Sequence, residues 1–340
     1  MRFRRLLVLV SRSDYLKRVS LYLSDLTEID VSVIEDASDL RASEEDLLMV
    51  VGDDREVLNS LHALPSLDVN VINVGIESTK SFLTSASIDD LEEVIGSVIR
   101  GNFRIDRVPL LRLETSEASS GPAINEAIIC PQRTATILQY TLSVDGELIW
   151  KDRSDGVIVS TSLGSTAYAL SAGGSLIHHS APVFEVVPVN SLDLTRRPLV
   201  VSANSEISID EIHSSVAVEA VIDGFERLRV ADSLKIKKYP VELRFVRPTW
   251  VQPISNRMER KIMLARSLIP LPPSAKLILR VLEYEGSMNY DRLLESTALP
   301  ERTLRYGLNR LISAGLVRRL NDPSDIRKKL YEIVKDHHTK

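Results

Sequence analysis

The sequence predicts an α/β domain, then an all-β domain, then a small helical domain that ends in a hairpin. Three patterns lead to this fold class. Short apolar runs alternate with helical spacing near the N-terminus, closely spaced strand patterns fill residues 121–245, and a proline-rich stretch at 268–273 precedes three further helical patterns. We therefore place the domains at residues 1–105, 106–265 and 266–340.

The first domain has the pattern of a parallel sheet with helices on both faces. The predicted strands are residues 6–10, 31–34, 47–51 and 69–74, and the predicted helices are residues 14–26, 56–64 and 88–99. Ligands of such sheets bind beyond the carboxyl ends of the strands, so chemistry is expected in the turn after Val51. That turn reads Gly52-Asp53-Asp54-Arg55, which also fits a plain strand-to-helix turn with a carboxylate cap.

The second domain contains a turn of small and hydroxyl residues that follows a buried-strand pattern at 157–159. The stretch 155–174 opens with the turn signal Asp155-Gly156 and continues into Gly164-Ser165-Thr166-Ala167-Tyr168. Small residues let a ligand approach the backbone, and hydroxyl groups both donate and accept hydrogen bonds. The stretch suits a ribose–phosphate–base ligand, although a hydroxyl-rich loop without a ligand has the same composition.

Residues 155–174 resemble the central motif of the NAD kinase family, whose members phosphorylate the 2′-hydroxyl of the adenosine ribose of NAD. The shared pattern is Asp-Gly-x-x-x-Ser-Thr-x-x-Gly-Ser-Thr-Ala-Tyr-x-x-Ser-x-Gly-Gly, and it departs from the family at Ser162-Leu163, where Pro-Thr or Pro-Ser is usual. The resemblance covers about residues 1–265. It implies the NAD kinase-like two-domain fold, α/β plus all-β, with NAD bound between the two domains.

The resemblance also implies which residues bind the dinucleotide. Asn125-Glu126 resembles the Asn-Glu motif of the family, and Asp53 falls on the catalytic aspartate, the general base for the ribose hydroxyl. Arg55, beside Asp53, is predicted to pair with the 2′-phosphate of NADP. The residues implied to bind NAD or NADP are Asp53, Arg55, Asn125, Glu126, Asp155, Thr166, Ala167, Tyr168 and Ser171.

The turn at 51–55 departs from the Gly-Gly-Asp-Gly-Thr signature of the family. Val51 and Asp54 stand where the family has glycine, and Arg55 stands where it has threonine. Side-chain bulk and a negative charge hinder the approach of backbone amides to ATP phosphates. We therefore predict that dinucleotide binding is kept and phosphoryl transfer is impaired, so that Mg-ATP is used only if the chain is active.

Residues 273–340 form a basic module on an acidic chain. They hold 13 Lys and Arg residues against 9 Asp and Glu residues, whereas the whole chain has a net charge of −5. The predicted helices are residues 275–284, 290–297 and 301–314, and the predicted strands 316–320 and 329–334 flank a charged turn. This order resembles a winged helix-turn-helix domain, most like regulators of the MarR type.

A basic module of this kind is typical of nucleic-acid binding, and a winged helix that contacts protein is the alternative. Predicted contacts to base edges come from the third helix, and predicted contacts to phosphates come from the hairpin. The predicted DNA-binding residues are Arg302, Thr303, Arg305, Tyr306, Asn309, Arg310, Arg318, Arg319, Arg327, Lys328 and Lys329.

We therefore predict a DNA-binding transcriptional regulator, a homodimer or homotetramer on double-stranded DNA, whose kinase-like domain senses NAD(P)(H). An active NAD kinase with an autoregulatory winged helix is the second interpretation, and a scaffold with neither activity is the third. The single cysteine, Cys130, fits a reducing cytoplasm, and no apolar run approaches the ~20 residues of a membrane span. The six histidines are scattered without the spacing of a metal site.

Overall fold

The computed structural model describes residues 3–10, 13–23, 29–34, 36–40, 43, 45–76, 83, 86–133, 135–251, 272–297, 299–321 and 329–334. The chain divides into two compact units, Met1–Gln252 and Pro253–Lys340. The domain boundaries that we place near residues 105 and 265 stay predictions. The proline-rich boundary up to residue 271 and the turn at 322–328 lie outside the described residues.

A seven-stranded sheet organises the N-terminal part of the first unit. Its strands are β1 (Arg5–Val10), β2 (Asp30–Ile34), β3 (Asp46–Val51), β4 (Asn70–Gly75), β5 (Ala86–Ser87), β6 (Phe103–Val108) and, much later in the chain, β18 (Leu243–Pro248). The order is β2-β1-β3-β4-β18-β6, with β5 beside β4. Strand β6 runs antiparallel to β18, and the other pairs are parallel. The predicted parallel sheet is confirmed.

Apolar residues on both sides of this sheet explain why its strands read as continuous hydrophobic runs. Along β1, Leu7 and Leu9 lie in one buried cluster, whereas Leu6 and Val8 lie in another. Both faces of a parallel sheet are covered in this way. The helices of this part are α1 (Ser13–Leu23), α2 (Asp54–Ala63) and α3 (Leu91–Ile99), the last preceded by a 3-10 turn over Ile88–Asp90.

The strand-rich part of the first unit consists of two antiparallel sheets. One contains β7 (Leu111–Glu114), β9 (Leu138–Val144), β10 (Glu147–Ser154), β14 (Ile207–His213) and β17 (Leu234–Lys238), in the order β10-β9-β14-β17-β7. The other contains β8 (Glu126–Pro131), β11 (Gly156–Thr161), β12 (Val183–Val189), β13 (Leu199–Ser202), β15 (Val218–Ile222) and β16 (Glu226–Val230), in the order β13-β12-β11-β8-β15-β16. Side chains from both sheets share one buried core, so the mostly-strand prediction is confirmed.

Two Asp-Gly turns join neighbouring strands of these sheets. Asp145-Gly146 has φ values of 52° and 83°, and Asp223-Gly224 has φ values of 49° and 78°. Positive φ at both central residues fits the twist of a tight hairpin, and aspartate and glycine tolerate it better than most residues. An Asp-Gly pair between two strand patterns predicts a hairpin turn from the sequence alone, and the structure has such a turn at both places.

In its described residues, the second unit has three helices and a three-stranded sheet. Its elements are α5 (Pro273–Glu285), β19 (Met288–Asn289), α6 (Tyr290–Thr297), α7 (Glu301–Ser313), β20 (Val317–Asn321) and β21 (Lys329–Ile333), with the strand order β19-β21-β20. Gly307 on α7 lies against Ala275 and Ile278 on α5, so the two helices approach closely. The two-residue strand β19 escaped the sequence analysis because two residues are too few to show a period.

The helices are short in relation to a lipid bilayer. None of those in the described part of the chain combines the length and the apolar character that a membrane crossing requires.

Candidate functional site

The turn after β3 places Asp53 at the start of α2. Gly52 directly follows the buried strand β3, and its N–H donates to the carbonyl of Val74 at 3.0 Å. Asp53 Oδ1 accepts the Glu56 N–H at 2.9 Å, and Glu56 Oε2 accepts the Asp53 N–H at 2.7 Å. This reciprocal capping box satisfies two donors at the helix end. Only Oδ1 of Asp53 takes part in this capping box, and the side chain is exposed. The helix cap and the catalytic aspartate are therefore compatible interpretations of the same residue.

Two side chains tie Leu83 to the ends of neighbouring strands. Asp54 Oδ1 accepts the Leu83 N–H at 3.0 Å, and Asn73 Nδ2 donates to the Leu83 carbonyl at 3.2 Å. The Asp54 carboxylate therefore serves a hydrogen bond within the protein, a role that the sequence pattern does not reveal. Arg55 is exposed in the first turn of α2, directly after Asp54.

A buried carboxylate, that of Asp223, holds the backbone of residues 124–126. Its Oδ2 accepts the Ile124 N–H at 2.6 Å, and its Oδ1 accepts the N–H groups of Asn125 and Glu126 at 2.8 and 2.9 Å. The Asp223 side chain has no exposed surface. Three backbone donors replace the water that the carboxylate loses on burial.

The same carboxylate contacts α2. His62, in the last turn of that helix, lies with Nε2 at 2.8 Å from Asp223 Oδ2, and its ring packs on Phe225 at 5.1 Å between centroids. Asp53 caps the other end of α2, about 15 Å away at 1.5 Å per residue. One buried residue thus joins the helix of Asp53 to the Asn125-Glu126 segment. We missed His62 in the sequence because a lone histidine carries no signal.

The Asn-Glu segment also contacts the turn that follows β11. Thr161 donates from its hydroxyl to the Ile124 carbonyl at 2.7 Å and from its N–H to the Asn125 carbonyl at 2.8 Å. A Cβ on Gly164 would lie 2.0 Å from the Asn125 oxygen, so only glycine fits there. The structure therefore brings together two motifs that lie about 35 residues apart in the sequence.

The helix α4 (Tyr168–Ser171) carries two of the predicted dinucleotide residues, Tyr168 and Ser171. Thr166 and Ala167, just before it, are half-buried, whereas Tyr168 and Ser171 are exposed. Asp155 is different. It lies before the first residue of β11, with Oδ2 accepting from Asn190 Nδ2 at 2.9 Å, and the length of that strand, roughly 20 Å at 3.3 Å per residue, separates it from α4.

Glu126 is the most perturbed acid of this region. Burial, and then the charge of Asp223, raises the pKa of its carboxyl to about 8, although the Tyr168 backbone N–H acts in the opposite direction. At neutral pH the side chain is therefore mostly protonated and can donate a hydrogen bond to a ligand oxygen. A raised acid pKa beside exposed polar groups is a common property of functional sites.

The departure at Ser162-Leu163 has a packing explanation. Leu163 is buried in the cluster that also contains Leu83, and the Ser162 hydroxyl donates to the His179 carbonyl at 2.7 Å. His179 Nε2 lies 2.7 Å from Asp106 Oδ2, and burial lowers the pKa of its imidazole. Leu163 thus contributes to the core where the family usually has a hydroxyl, and His179 packs in the interior.

The predicted DNA-binding residues lie mostly on exposed surface of the second unit. On α7 and the following strands, the exposed residues are Arg302, Arg305, Tyr306, Asn309, Arg310, Arg318, Arg319 and Lys329, and Thr303 is half-buried. Arg318 Nη2 lies 3.3 Å from Glu332 Oε2 across the hairpin. Arg327 and Lys328 lie outside the described residues.

Comparison with known proteins places most of the first unit among NAD kinases. The family described as the ATP-NAD kinase C-terminal domain matches residues 124–247. The chain is 35% identical to an NAD kinase of Alcanivorax borkumensis, over 60% of this chain and 69% of that protein. It is 31% identical to an NAD kinase of Methanopyrus kandleri, over 60% of this chain and 73% of that protein.

Two solved structures share the fold. An NAD kinase from Archaeoglobus fulgidus in complex with ATP superposes with a TM-score of 0.60 at 26% identity, covering 72% of this chain and 94% of that one. Yeast NADH kinase complexed with NADH has a TM-score of 0.63 at 21% identity, covering 76% of this chain and 88% of that one, a likeness of fold alone. The NAD kinase-like pairing of an α/β part with a sheet-rich part is confirmed.

The prediction of a DNA-binding transcriptional regulator with an impaired kinase domain is wrong. The relatives named above are NAD kinases, the two solved structures are an NAD kinase and an NADH kinase, and none of them is described as a DNA-binding protein. The same comparisons give no support to double-stranded DNA as a partner or to a degenerate phosphate turn at residues 51–55. The physical reason is that charged side chains on an exposed helix face are solvated without any partner, so a count of charges does not identify a DNA surface.

Proposed function

Because this chain belongs to the NAD kinase family, we propose that it is an active NAD kinase, which transfers the terminal phosphoryl group of ATP to the 2′-hydroxyl of the adenosine ribose of NAD. The observation that carries the proposal is the buried Asp223 carboxylate. It contacts both the Asn125-Glu126 segment and His62 on the helix that Asp53 caps. The turn that contains Asp53, proposed to face ATP, and the segment proposed to bind the dinucleotide are thus linked through one buried residue.

Asp53 is the proposed general base. The ribose oxygen attacks the terminal phosphorus of ATP, its proton passes to the Asp53 carboxylate, and ADP leaves with the electrons of the broken P–O bond. Asp53 is exposed, and its Oδ1 is held by the Glu56 N–H, which orients the carboxylate before a ligand arrives. Magnesium enters with ATP and supplies charge neutralisation for its phosphates.

The neighbouring residues are proposed to hold the acceptor dinucleotide. The amide of Asn125 pairs with an adenine edge, and protonated Glu126 donates to a ribose oxygen. Thr166, Ala167 and Tyr168 offer a hydroxyl, a small surface and an aromatic face beside them, and Ser171 adds a second hydroxyl. The pKa of Glu126, raised to about 8 by burial, supports the donor role at neutral pH.

The decisive experiment is NADP formation from NAD and Mg-ATP, compared between the unmodified chain and Asp53→Asn. Asparagine is as good a helix cap as aspartate, so the variant keeps the helix start and removes only the base. We expect a loss of turnover of about 10²-fold or more, with an unchanged melting temperature. Full turnover in Asp53→Asn would show that Asp53 is not the base, and no turnover in the unmodified chain would reject the proposed activity.

Arg55 is proposed to favour the phosphorylated dinucleotide, because it follows Asp53 by two positions on an exposed helix start. Arg55→Ala is then expected to weaken NADP binding more than NAD binding in calorimetric titrations. An unchanged ratio of the two affinities would contradict this role.

We also propose that the second unit is a winged helix that regulates the kinase. Its support is the element order, in which α7 leads into the paired strands β20 and β21. The proposal is tested by comparing the turnover of the full chain with that of a chain ended after residue 251, since the first unit has its own buried cores. Equal kinetic constants would exclude regulation by this unit.

A further inference from the structure

Three side chains form a row across the six-stranded sheet beneath α4. Glu126 on β8 is opposite Ser160 on β11, and Ser160 is opposite Glu185 on β12. Directly opposed residues of antiparallel strands share one face of a sheet, so the two carboxylates flank Ser160 on the same face. That face also carries Ile158 and Val187, on which Ala169 of α4 packs.

Glu185 is an unusual residue for this place. It has no exposed surface, although it lies in the middle of a strand in a largely apolar sheet. Its Oε1 accepts the Ser175 N–H at 2.6 Å. Burial raises the pKa of its carboxyl, and the Ser175 hydrogen bonds act in the opposite direction. A buried acid costs free energy unless hydrogen bonds compensate it, and the Ser175 N–H is the backbone donor that does so here.

The bond to Ser175 fixes the exit of α4. Gly173 has a φ of 95°, its N–H donates to the Leu170 carbonyl, and the Gly174 N–H donates to the Ala169 carbonyl. These two bonds form the Schellman motif, which ends a helix at a glycine. The Ser175 N–H is the next donor along the chain, and Glu185 accepts it.

The absence of a side chain at Gly174 leaves the space that the Glu185 carboxyl group occupies. A Cβ built on Gly174 would lie 2.9 Å from Glu185 Oε2 and 2.7 Å from the Ala169 carbonyl oxygen. Both distances are too short for a real contact, so any larger residue would displace the turn or the acid. The observed position of the Glu185 carboxyl group therefore requires glycine at residue 174.

The two acids lie near opposite ends of one helix. The Tyr168 backbone N–H, at the start of α4, lies near the Glu126 carboxyl group and acts to lower its pKa. The Ser175 N–H, just beyond its end, is held by Glu185. A four-residue helix has almost no stability of its own, so its position on the sheet depends on such anchors.

We propose that Glu185 is a positioning residue for dinucleotide binding, which acts by holding α4 and its Tyr168 and Ser171 side chains over the sheet. The inference rests on the proposed function, because these side chains are assigned to the dinucleotide there. Glu185 is proposed as a positioning residue and not as a ligand contact, because its side chain has no exposed surface and accepts the Ser175 N–H.

The test is calorimetric titration of the full chain with NAD and with NADP, for Glu185→Ala, Glu185→Gln and Gly174→Ala. Alanine removes the acceptor, and we expect an affinity about tenfold weaker, equivalent to about 1.4 kcal/mol. Glutamine keeps an acceptor oxygen and is expected to restore binding. Gly174→Ala, which displaces the carboxylate from the other side, is expected to weaken binding as Glu185→Ala does.

The matched control is Glu219→Ala on β15. Glu219 is also a nearly buried carboxylate of the same sheet, but its partners are Gln132 and Arg227, not α4. We expect Glu219→Ala to keep its dinucleotide affinity. Amide exchange of residues 168–175 should accelerate in Glu185→Ala alone, and the KM for ATP should stay unchanged in both.

The outcomes separate this inference from the proposed function. If the unmodified chain binds NAD but Glu185→Ala binds it equally well, Glu185 has no positioning role. If Glu219→Ala loses as much affinity as Glu185→Ala, the effect is a general lesion of the sheet and the inference is likewise rejected. If the unmodified chain binds neither NAD nor NADP, the proposed function fails first and the inference falls with it.

Discussion

At the scale of single residues, three acids near the proposed site differ in the hydrogen-bond donors that surround them. Asp223 accepts three backbone N–H groups and contacts His62, so its charge is compensated although it is buried. Glu126 lies beside that charge with fewer donors, and burial raises its pKa to about 8. Glu185 has a single backbone donor in Ser175, and burial raises its pKa as well. Burial is the largest cause of the raised pKa of both Glu126 and Glu185, and the hydrogen bonds to them act in the opposite direction.

The raised pKa of Glu126 predicts a pH dependence of stability. Its value in the unfolded chain is near 4.5, so between pH 4.5 and about 8 the folded state binds the extra proton. Stability from this group is complete below pH 4.5 and is lost as the pH rises through 8, with a slope of at most ~1.4 kcal/mol per pH unit. Glu126→Gln removes this term, so the difference in free energy of unfolding between variant and unmodified chain should change with pH. Urea unfolding at several pH values measures it, and parallel profiles would contradict the shifted pKa.

At the scale of elements, glycines mark the places where two segments come closest. Gly307 lets α7 approach α5, and a Cβ there would lie 2.5 Å from Ile278 Cδ1 and 3.3 Å from the Ala275 nitrogen. Gly96 on α3 differs, because a Cβ there would meet the end of the flexible Arg100 side chain at 2.9 Å. One neighbour is a packed core atom and the other can move, so the same substitution has opposite consequences.

Alanine at these two helical glycines tests that distinction. Gly307→Ala is expected to destabilise the second unit by about 1–3 kcal/mol through overpacking. Gly96→Ala is expected to be neutral or to stabilise the first unit by up to ~1 kcal/mol, because alanine favours the helix and Arg100 swings aside. Calorimetric melting of the full chain with hydrogen exchange assigns each change to its unit. A Gly307→Ala chain as stable as the unmodified one would show that α5 and α7 do not meet at this glycine.

At the scale of the first unit, the α/β part and the strand-rich part are interlocked by the chain path. After β6 the chain builds both antiparallel sheets and then returns as β18, which lies between β4 and β6. The contact of His62 with Asp223, 161 residues apart, is a second link between the two parts. A substrate site that uses residues from both parts depends on such links for its geometry.

His62→Ala tests the second link. Because His62 orients α2 and is not assigned a ligand contact, we expect kcat to fall about tenfold, within the range for a small misplacement of a catalytic group. The KM for NAD should change little. His62→Gln keeps a side-chain donor for Asp223 and is expected to recover part of the rate. A rise in KM with an unchanged kcat would place His62 in dinucleotide binding instead.

Short sequence patterns alone determined several strands and turns of this protein. The first four strands of the first sheet and the Asp-Gly hairpins at 145 and 223 follow from patterns within a few residues, and the structure has them close to where the sequence predicts them. The resemblance in the motif at 155–174 was enough to indicate the family. Local patterns did not determine whether the chain binds DNA, because charged residues are found on solvated surfaces as well as on DNA-binding surfaces.

Which polar groups meet depends on the three-dimensional fold. No periodicity in the sequence pairs His62 with Asp223, or Ser175 with Glu185, or places β18 in the first sheet. Periodic patterns encode which side of an element is buried, whereas long-range contacts depend on the path of the chain between elements. Glu126 shows the consequence, since an ordinary glutamate in the sequence becomes a neutral acid at pH 7 only through the neighbours that the fold provides.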